Sequence, residues 1–304
     1  MSSEKFFNTK KALVTLIAAS LVVIVSLGIR QTFGLFFFDF NADLNISISH
    51  FGFVIGLQLL MWGVFSPIFG FITDRYGGAT AIFIGFLFYL AGLFLFYSGL
   101  NTGFLFTLTI GLLIGIGLGG TAISIPVSVV AKHFPSSNRT IATGIVTCAG
   151  SFGFFVSPLL VRYSLIEIGW EITILYFCFL LGIGLITALF ISTPKTPVGN
   201  NDNNNQTAKE ALIEAFNNKS FIFLTLGFFV CGWHIALVAT HIPTYMMDRG
   251  MPDWTAAMIL ALVGVFNMIG TMGSGYLATK FSKKKVLSAI SVSYTHLTLP
   301  TSRS

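Results

Sequence analysis

The segment GFITDRYGG at Gly70–Gly78 returns as GYLATKFSK at Gly275–Lys283. Each copy closes one long apolar segment and precedes another. A short, charged, glycine-edged turn between two hydrophobic spans is compatible with few folds. Its return far downstream describes a duplicated helical membrane bundle, an all-α architecture of the parallel-repeat kind. Such a design points to transport rather than to soluble chemistry.

Composition agrees. The chain has 304 residues, of which 54% are hydrophobic and 9% charged, and its mean hydropathy is +0.84. A soluble domain carries about a quarter charged residues. The 31 glycines suit transmembrane helices that approach closely. The net charge of +6 is spread singly through short loops apart from Lys283–Lys285, so no nucleic-acid surface is expected. Cys148, Cys178 and Cys231 all lie in apolar stretches and read as small buried hydrophobes, without a disulfide or metal framework. No cofactor is implied. The first apolar run is too long for a cleavable signal peptide.

A membrane span needs about 20 apolar residues. Eight are expected, at 12–38, 50–73, 79–99, 103–131, 139–163, 168–192, 220–244 and 253–279, and a ninth begins near Val286. Residues 1–192 form a six-helix bundle, 193–219 a linker and 220–292 part of a second bundle. The polar tract Asn200–Gln206 cannot bury a core and reads as flexible, whereas Ala208–Phe216 is weakly amphipathic and suits a membrane surface. Residues 293–304, SYTHLTLPTSRS, break the ninth apolar run with polar residues and a proline. They resemble translated sequencing-adapter DNA and are expected to be a non-native tail on a longer protein.

Lys and Arg set the orientation. With the N-terminus inside, the inner loops hold Lys5, Lys10, Lys11, Arg75, Lys132, Arg139, Lys195, Lys209, Lys219, Lys280 and Lys283–Lys285, against Arg162 and Arg249 outside. This predicts a multi-pass protein of the plasma (inner) membrane with a cytoplasmic N-terminus.

Charge inside a bilayer is costly, so ionisable groups within spans are site candidates. Arg30 lies ~27 Å into the first span at 1.5 Å per residue. It is expected to face a water-filled cavity, where its guanidinium could hold an anion such as a carboxylate through two parallel hydrogen bonds. The alternatives are snorkelling to the outer headgroups or pairing with Asp39 or Asp43. His234 and His241 are seven residues apart on one face of the seventh span. Imidazole titrates near physiological pH, so either could relay a proton; for His241, near the outer interface, a structural role is favoured. Gln58 and Asn267 either contact substrate or join helices, the more common use. Thr121, Ser124 and Ser151 read as packing residues. Gly111, Gly115 and Gly119 give the fourth span a smooth stripe for close, slidable packing.

The repeated turn resembles the signature G-x-L-a-D-r-x-G-r-k of the major facilitator superfamily, whose members have twelve spans in two six-helix halves. The first copy keeps Gly70, Asp74, Arg75 and Gly77; the second keeps Gly275, Leu277, Lys280, Lys283 and Lys284 but has Thr279 in place of the acid. The resemblance covers residues 1 to about 292 and implies an inner-side latch joining the two halves, with the partner helix of Asp74 in the part this chain lacks. GIRQTFGLFF, CAGSFG and CGWHIALVATHIP are similar to bacterial members of the monocarboxylate-porter and oxalate/formate-exchanger group. The Asp and Arg that animal monocarboxylate porters carry in span 8 are replaced by Asn267 and Thr271. The arginine and the span-5 glycine signature of drug antiporters are absent.

Together these readings predict a secondary transporter that moves a small organic anion, such as a monocarboxylate, by alternating access. Arg30, Gln58, His234 and Asn267 would contact substrate, and His234 or His241 would handle a coupling proton. Gly70, Asp74, Arg75, Gly77, Gly275 and Lys280 would form the latch. An exporter of drugs or metabolites is the alternative within transport, and a non-transporting sensor or scaffold is the alternative outside it. An enzyme is not expected: no nucleophile–base pair, metal-ligand cluster or phosphate-binding glycine loop is present.

Overall fold

The computed structural model describes residues 10–99, 103–191, 208–282 and 285–290. Every regular element among them is a helix. This follows from the apolar solvent: inside hydrocarbon each backbone N–H and C=O must bond within its own segment. Seven stretches are long and apolar enough to cross a membrane.

The first span runs from α1 (Lys10–Gln31) through a 3₁₀ turn (Phe33–Phe36) into α2 (Phe37–Leu44). It therefore extends to Leu44, beyond the boundary expected at 38. Asn45 then takes a left-handed conformation (φ 54°), and Ser47 caps α3 (Ile48–Tyr76) by accepting from the His50 amide at 3.2 Å. Short side-chain oxygens at such positions satisfy amides that the first turn leaves free.

α3 ends where the motif predicts. Gly77 has φ 97° and ψ 154°, a region open essentially to glycine alone, and α4 (Gly78–Tyr97) starts on the next residue. The fourth span comprises α5 (Gly103–Phe106), a π-helical stretch (Thr107–Leu113), α6 (Ile114–Thr121) and α7 (Ser124–His133). The amide of Ile114 reaches back five residues to the Thr109 carbonyl, which marks the π register.

The expected fifth and sixth spans are the two arms of one helical run, α8 (Ser136–Ala188), which counts once among the seven stretches of the described residues. At 1.5 Å per residue this run is ~80 Å, more than twice the hydrocarbon thickness. It folds back at Gly169 (φ 79°, ψ 172°). Gly153 of its first arm lies on Ile24 of α1, and Gly184 of its second arm lies on Phe86 of α4.

α9 (Ala208–Asn217) is helical at the stretch expected to be amphipathic. α10 (Lys219–Asp248) and α11 (Asp253–Lys280) open the second half, and residues 285–290 are helical where a ninth span was expected to begin. The tail at 293–304 and the asparagine tract lie outside the described residues.

The core sits in the first half. Phe40 is fully buried and packs edge-on against Phe96, Phe106 and Trp170, with ring centroids 5.3, 5.8 and 5.3 Å away. Edge-to-face pairs of this kind stabilise beyond their buried area. Trp170 Nε1 donates to Asp43 Oδ2 at 2.6 Å. This aromatic cluster fills the end of the bundle opposite the Gly70–Gly78 turn.

Candidate functional site

α1 presents two different faces. Ser26 and Arg30 are four residues apart and share one face; Gly28 lies ~200° around from Ser26 and packs on Ser157 of α8. The Ser26–Arg30 face meets α4 and α6. Ser26 Oγ and Thr121 Oγ1 are 2.7 Å apart, and the Tyr89 hydroxyl donates to the Ser26 carbonyl at 3.4 Å. α4 and α6 approach closely enough for this because Gly117 has no side chain: a Cβ there would stand 2.7 Å from the Tyr89 amide nitrogen. Small residues at crossings of this kind bring helix backbones together in membranes.

The result is a polar cluster from three helices inside an apolar bundle. Ser26, Tyr89 and Thr121 are fully buried and Arg30 is 4% exposed. Among the described residues no carboxylate forms a salt bridge with Arg30, and its Nε has no hydrogen-bond partner. The neighbouring Gln31 is 1% exposed and its Oε1 is also unpartnered. Snorkelling is excluded by this burial, and Asp43 is engaged by Trp170. Arg30 lies between Lys10 and Leu44 in a continuous 35-residue span, well inside the bundle.

Two cavities adjoin α3. The larger, of about 840 Å³, lies between α3 and α10 and is mainly apolar, with Trp62, Trp233 and His241 in its wall. The smaller, of about 470 Å³, continues past Gly63 to the motif end, where Ser66, Thr73 and Asp74 face Ser124, Ser128 and Lys132. Arg30 is in the wall of neither; the α1 face it shares with Ser26 meets α4 and α6.

The other candidates separate. Gln58 is fully buried and its Nε2 donates to the Ile110 carbonyl at 3.0 Å, inside the π-helical stretch. It joins α3 to the fourth span. Asn267 is on an exposed face of α11, where its Oδ1 accepts from Thr271 at 3.4 Å. His241 lines the larger cavity beside Gly52. His234 is on α10, and its side chain lies outside the described residues. The structure thus does not bring Arg30, Gln58 and Asn267 to one wall.

At the motif, Asp74 Oδ1 accepts from Lys132 Nζ of α7 at 2.8 Å. Asp74 therefore has an ion-pair partner within the first half. Arg75 lies over the Tyr76 ring at 5.5 Å. Gly70 has open space around it. In the second copy, Gly275 is in α11, and Lys280 sits over the Tyr276 ring at 4.7 Å. α11 stops at Lys280 and α3 at Tyr76, the same point of the motif to within one residue.

Besides His241 beside Gly52, two close glycine contacts join the halves. A Cβ on Gly34 would collide with the Ala239 carbonyl of α10, with Pro243 and the Thr240 carbonyl at 3.3 Å; Gly264 of α11 lies against the Phe154–Phe155 backbone of α8.

The family model for the Major Facilitator Superfamily matches residues 19–300. The chain belongs to this superfamily. It is 24% identical over 259 residues to the hexuronate transporter of Bacillus subtilis, which covers 80% of the chain and 58% of that protein. It is 23% identical to a probable nitrate transporter of Staphylococcus epidermidis, over 81% of the chain and 62% of the relative. The agnestins efflux protein of Paecilomyces divaricatus is 23% identical over 93% of the chain and 64% of its own length. The chain thus spans about three fifths of the curated relatives it matches. The inward-open xylose transporter XylE from E. coli shares the fold, with a TM-score of 0.59 at 18% identity over 89% of this chain and 69% of that one. The superfamily is one of transporters, not enzymes.

The sequence reading singled out Arg30 but not the residues around it. Tyr89 is one of 8 tyrosines, and its hydroxyl reaches a backbone carbonyl 63 positions away. Lys132 carries no signal beyond being basic. For Gln31, the adjacent Arg30 was the available signal.

Proposed function

We propose that this protein is a secondary transporter for a small organic anion, working by alternating access with the substrate held near the bilayer midplane. The observation that carries this reading is Arg30, a deeply buried guanidinium that forms no salt bridge among the described residues. An unpaired buried charge is strongly unfavourable, so such a group is retained where an anion arrives to neutralise it. The named relatives of hexuronate and nitrate transport carry anionic cargo, which supports the same class. A monocarboxylate fits this chemistry.

His241 in the cavity wall, with His234 seven residues before it, is the candidate for proton coupling. The Asp74–Lys132 pair and the two motif turns form the latch on the cytoplasmic side, with the N-terminus in the cytoplasm. The smaller cavity beside the latch is the aqueous approach.

The test is uptake by proteoliposomes carrying Arg30→Gln. Uptake is expected to be lost while the protein still inserts in the membrane. Uptake at the wild-type rate overturns the assignment.

One observation favours a second reading. The larger cavity is mainly apolar and carries two tryptophans, as a site for an uncharged aromatic compound would, and an efflux protein is among the relatives. Binding of neutral aromatic compounds that survives Arg30→Gln would select it.

A further inference from the structure

The anion reading leaves open which groups besides Arg30 receive the cargo, and of what charge and shape it is. Three observations bear on this. Long side chains on a helix lean toward its N-terminus and cover the preceding turn. Arg30 therefore covers the turn of Ser26, ~6 Å along the α1 axis. That is where the Tyr89 hydroxyl arrives, since its acceptor is the Ser26 carbonyl. Second, that hydrogen bond is long, at 3.4 Å, in a chain whose Ser26–Thr121 contact in the same cluster is 2.7 Å. A phenol O–H prefers an acceptor at about 2.7–2.8 Å, so the Tyr89 donor is held beside Arg30 and only weakly engaged. Third, the Ser26 carbonyl belongs to a helical residue and keeps its place in the α1 ladder when the phenol turns away.

We infer that Tyr89 is a second substrate ligand, and that Arg30 and Tyr89 together receive a planar, monovalent oxyanion. The guanidinium fork offers parallel donors to two oxygens in a plane, and the phenol adds one neutral donor. Carboxylate and nitrate share this planar geometry. The cluster of Ser26, Arg30, Tyr89 and Thr121 contains one charge, which a single negative charge neutralises. Against this cluster a dianion would leave one negative charge without a partner among the described residues and is expected to bind less well. Tyr89 thereby sets affinity, while Arg30 is required for any anion to enter. This rests on the anion-transport reading and goes beyond it by naming a residue and a substrate class.

The experiment measures uptake of labelled lactate, glucuronate, nitrate and succinate, each alone, by proteoliposomes of wild type, Tyr89→Phe and Arg30→Gln. Tyr89→Phe keeps the aromatic ring and the Cβ that lies against Gly117, and its fold is checked by size-exclusion profile and thermal midpoint in detergent. The expected result is uptake of at least one monoanion with succinate at least tenfold poorer. In Tyr89→Phe the KM for that monoanion rises about tenfold while kcat stays within twofold. Carboxylate and nitrate as sources separate by which of the probes saturates. A Tyr89→Phe protein with wild-type KM, beside an inactive Arg30→Gln, overturns the role of Tyr89 and leaves the anion reading intact. Succinate carried as well as the monoanions overturns the charge assignment. Wild-type uptake of none of the four, or full activity in Arg30→Gln, overturns the reading beneath both. If Tyr89→Phe is misfolded, Tyr89→Trp keeps an aromatic ring and an N–H donor; it is expected to retain discrimination against succinate, and its loss there counts against the proposal.

Discussion

Arg30 and Gln58 show how differently two polar residues in apolar spans can be used. Among the described residues Arg30 forms no salt bridge and its Nε has no hydrogen-bond partner; Gln58 has a partner at 3.0 Å in a carbonyl of the π-helical stretch. Removing the Gln58 amide leaves the Ile110 carbonyl buried without its donor, which costs about 1–3 kcal/mol. Gln58→Ala is therefore expected to lower the thermal midpoint in detergent while leaving the KM for substrate unchanged. A variant with wild-type stability and a raised KM would return Gln58 to the substrate site. The position of Arg30 inside the first span was legible; its near-complete burial against neighbouring helices was not, because that depends on residues distant in sequence. The role of Gln58 was not, because an amide in an apolar run serves either use and only the opposing carbonyl decides. The Asp74 partner was illegible for the same reason: 58 residues separate it from Lys132.

At the scale of elements, the turns were the most legible features because glycine is demanded by geometry. Gly77 at φ 97° and ψ 154° sits where other residues are strained by about 1–3 kcal/mol. Gly77→Ala is expected to lower thermal stability by an amount in that range, measured by unfolding in detergent, whereas Gly70→Ala, in open space, leaves it unchanged. The break expected between the fifth and sixth spans falls close to Gly169, where the backbone leaves helical geometry and the chain turns back between the two arms of α8. The π register of Thr107–Leu113 left no mark in the sequence; it is set by contacts with α3, not by local propensity. Where the halves meet, Gly34 has no room for a Cβ beside Ala239. Gly34→Val is expected to slow uptake at least tenfold without blocking insertion, and Gly34→Ala to fall between. Wild-type rates in Gly34→Val would show that this contact plays no part in the transport cycle.

For the whole molecule, the repeated motif carried most of the architecture: α3 and α11 end at matching points, and the family match spans residues 19–300. Orientation rests on the distribution of Lys and Arg. Lys132→Cys is expected to react with a membrane-impermeant maleimide in inverted vesicles and not in intact cells; the opposite pattern would invert the topology. On the proposed reading, substrate class depends on side chains brought together from α1, α4 and α6, and no local pattern announces such a cluster. The most direct test of the central claim is counterflow. Proteoliposomes are preloaded with unlabelled lactate, glucuronate or nitrate, and the entry of the same labelled anion is followed for wild type and Arg30→Gln. Transient accumulation above equilibrium in wild type, abolished in Arg30→Gln, is the expected result. Accumulation that is equal in the two proteins would contradict an anion carrier built around Arg30.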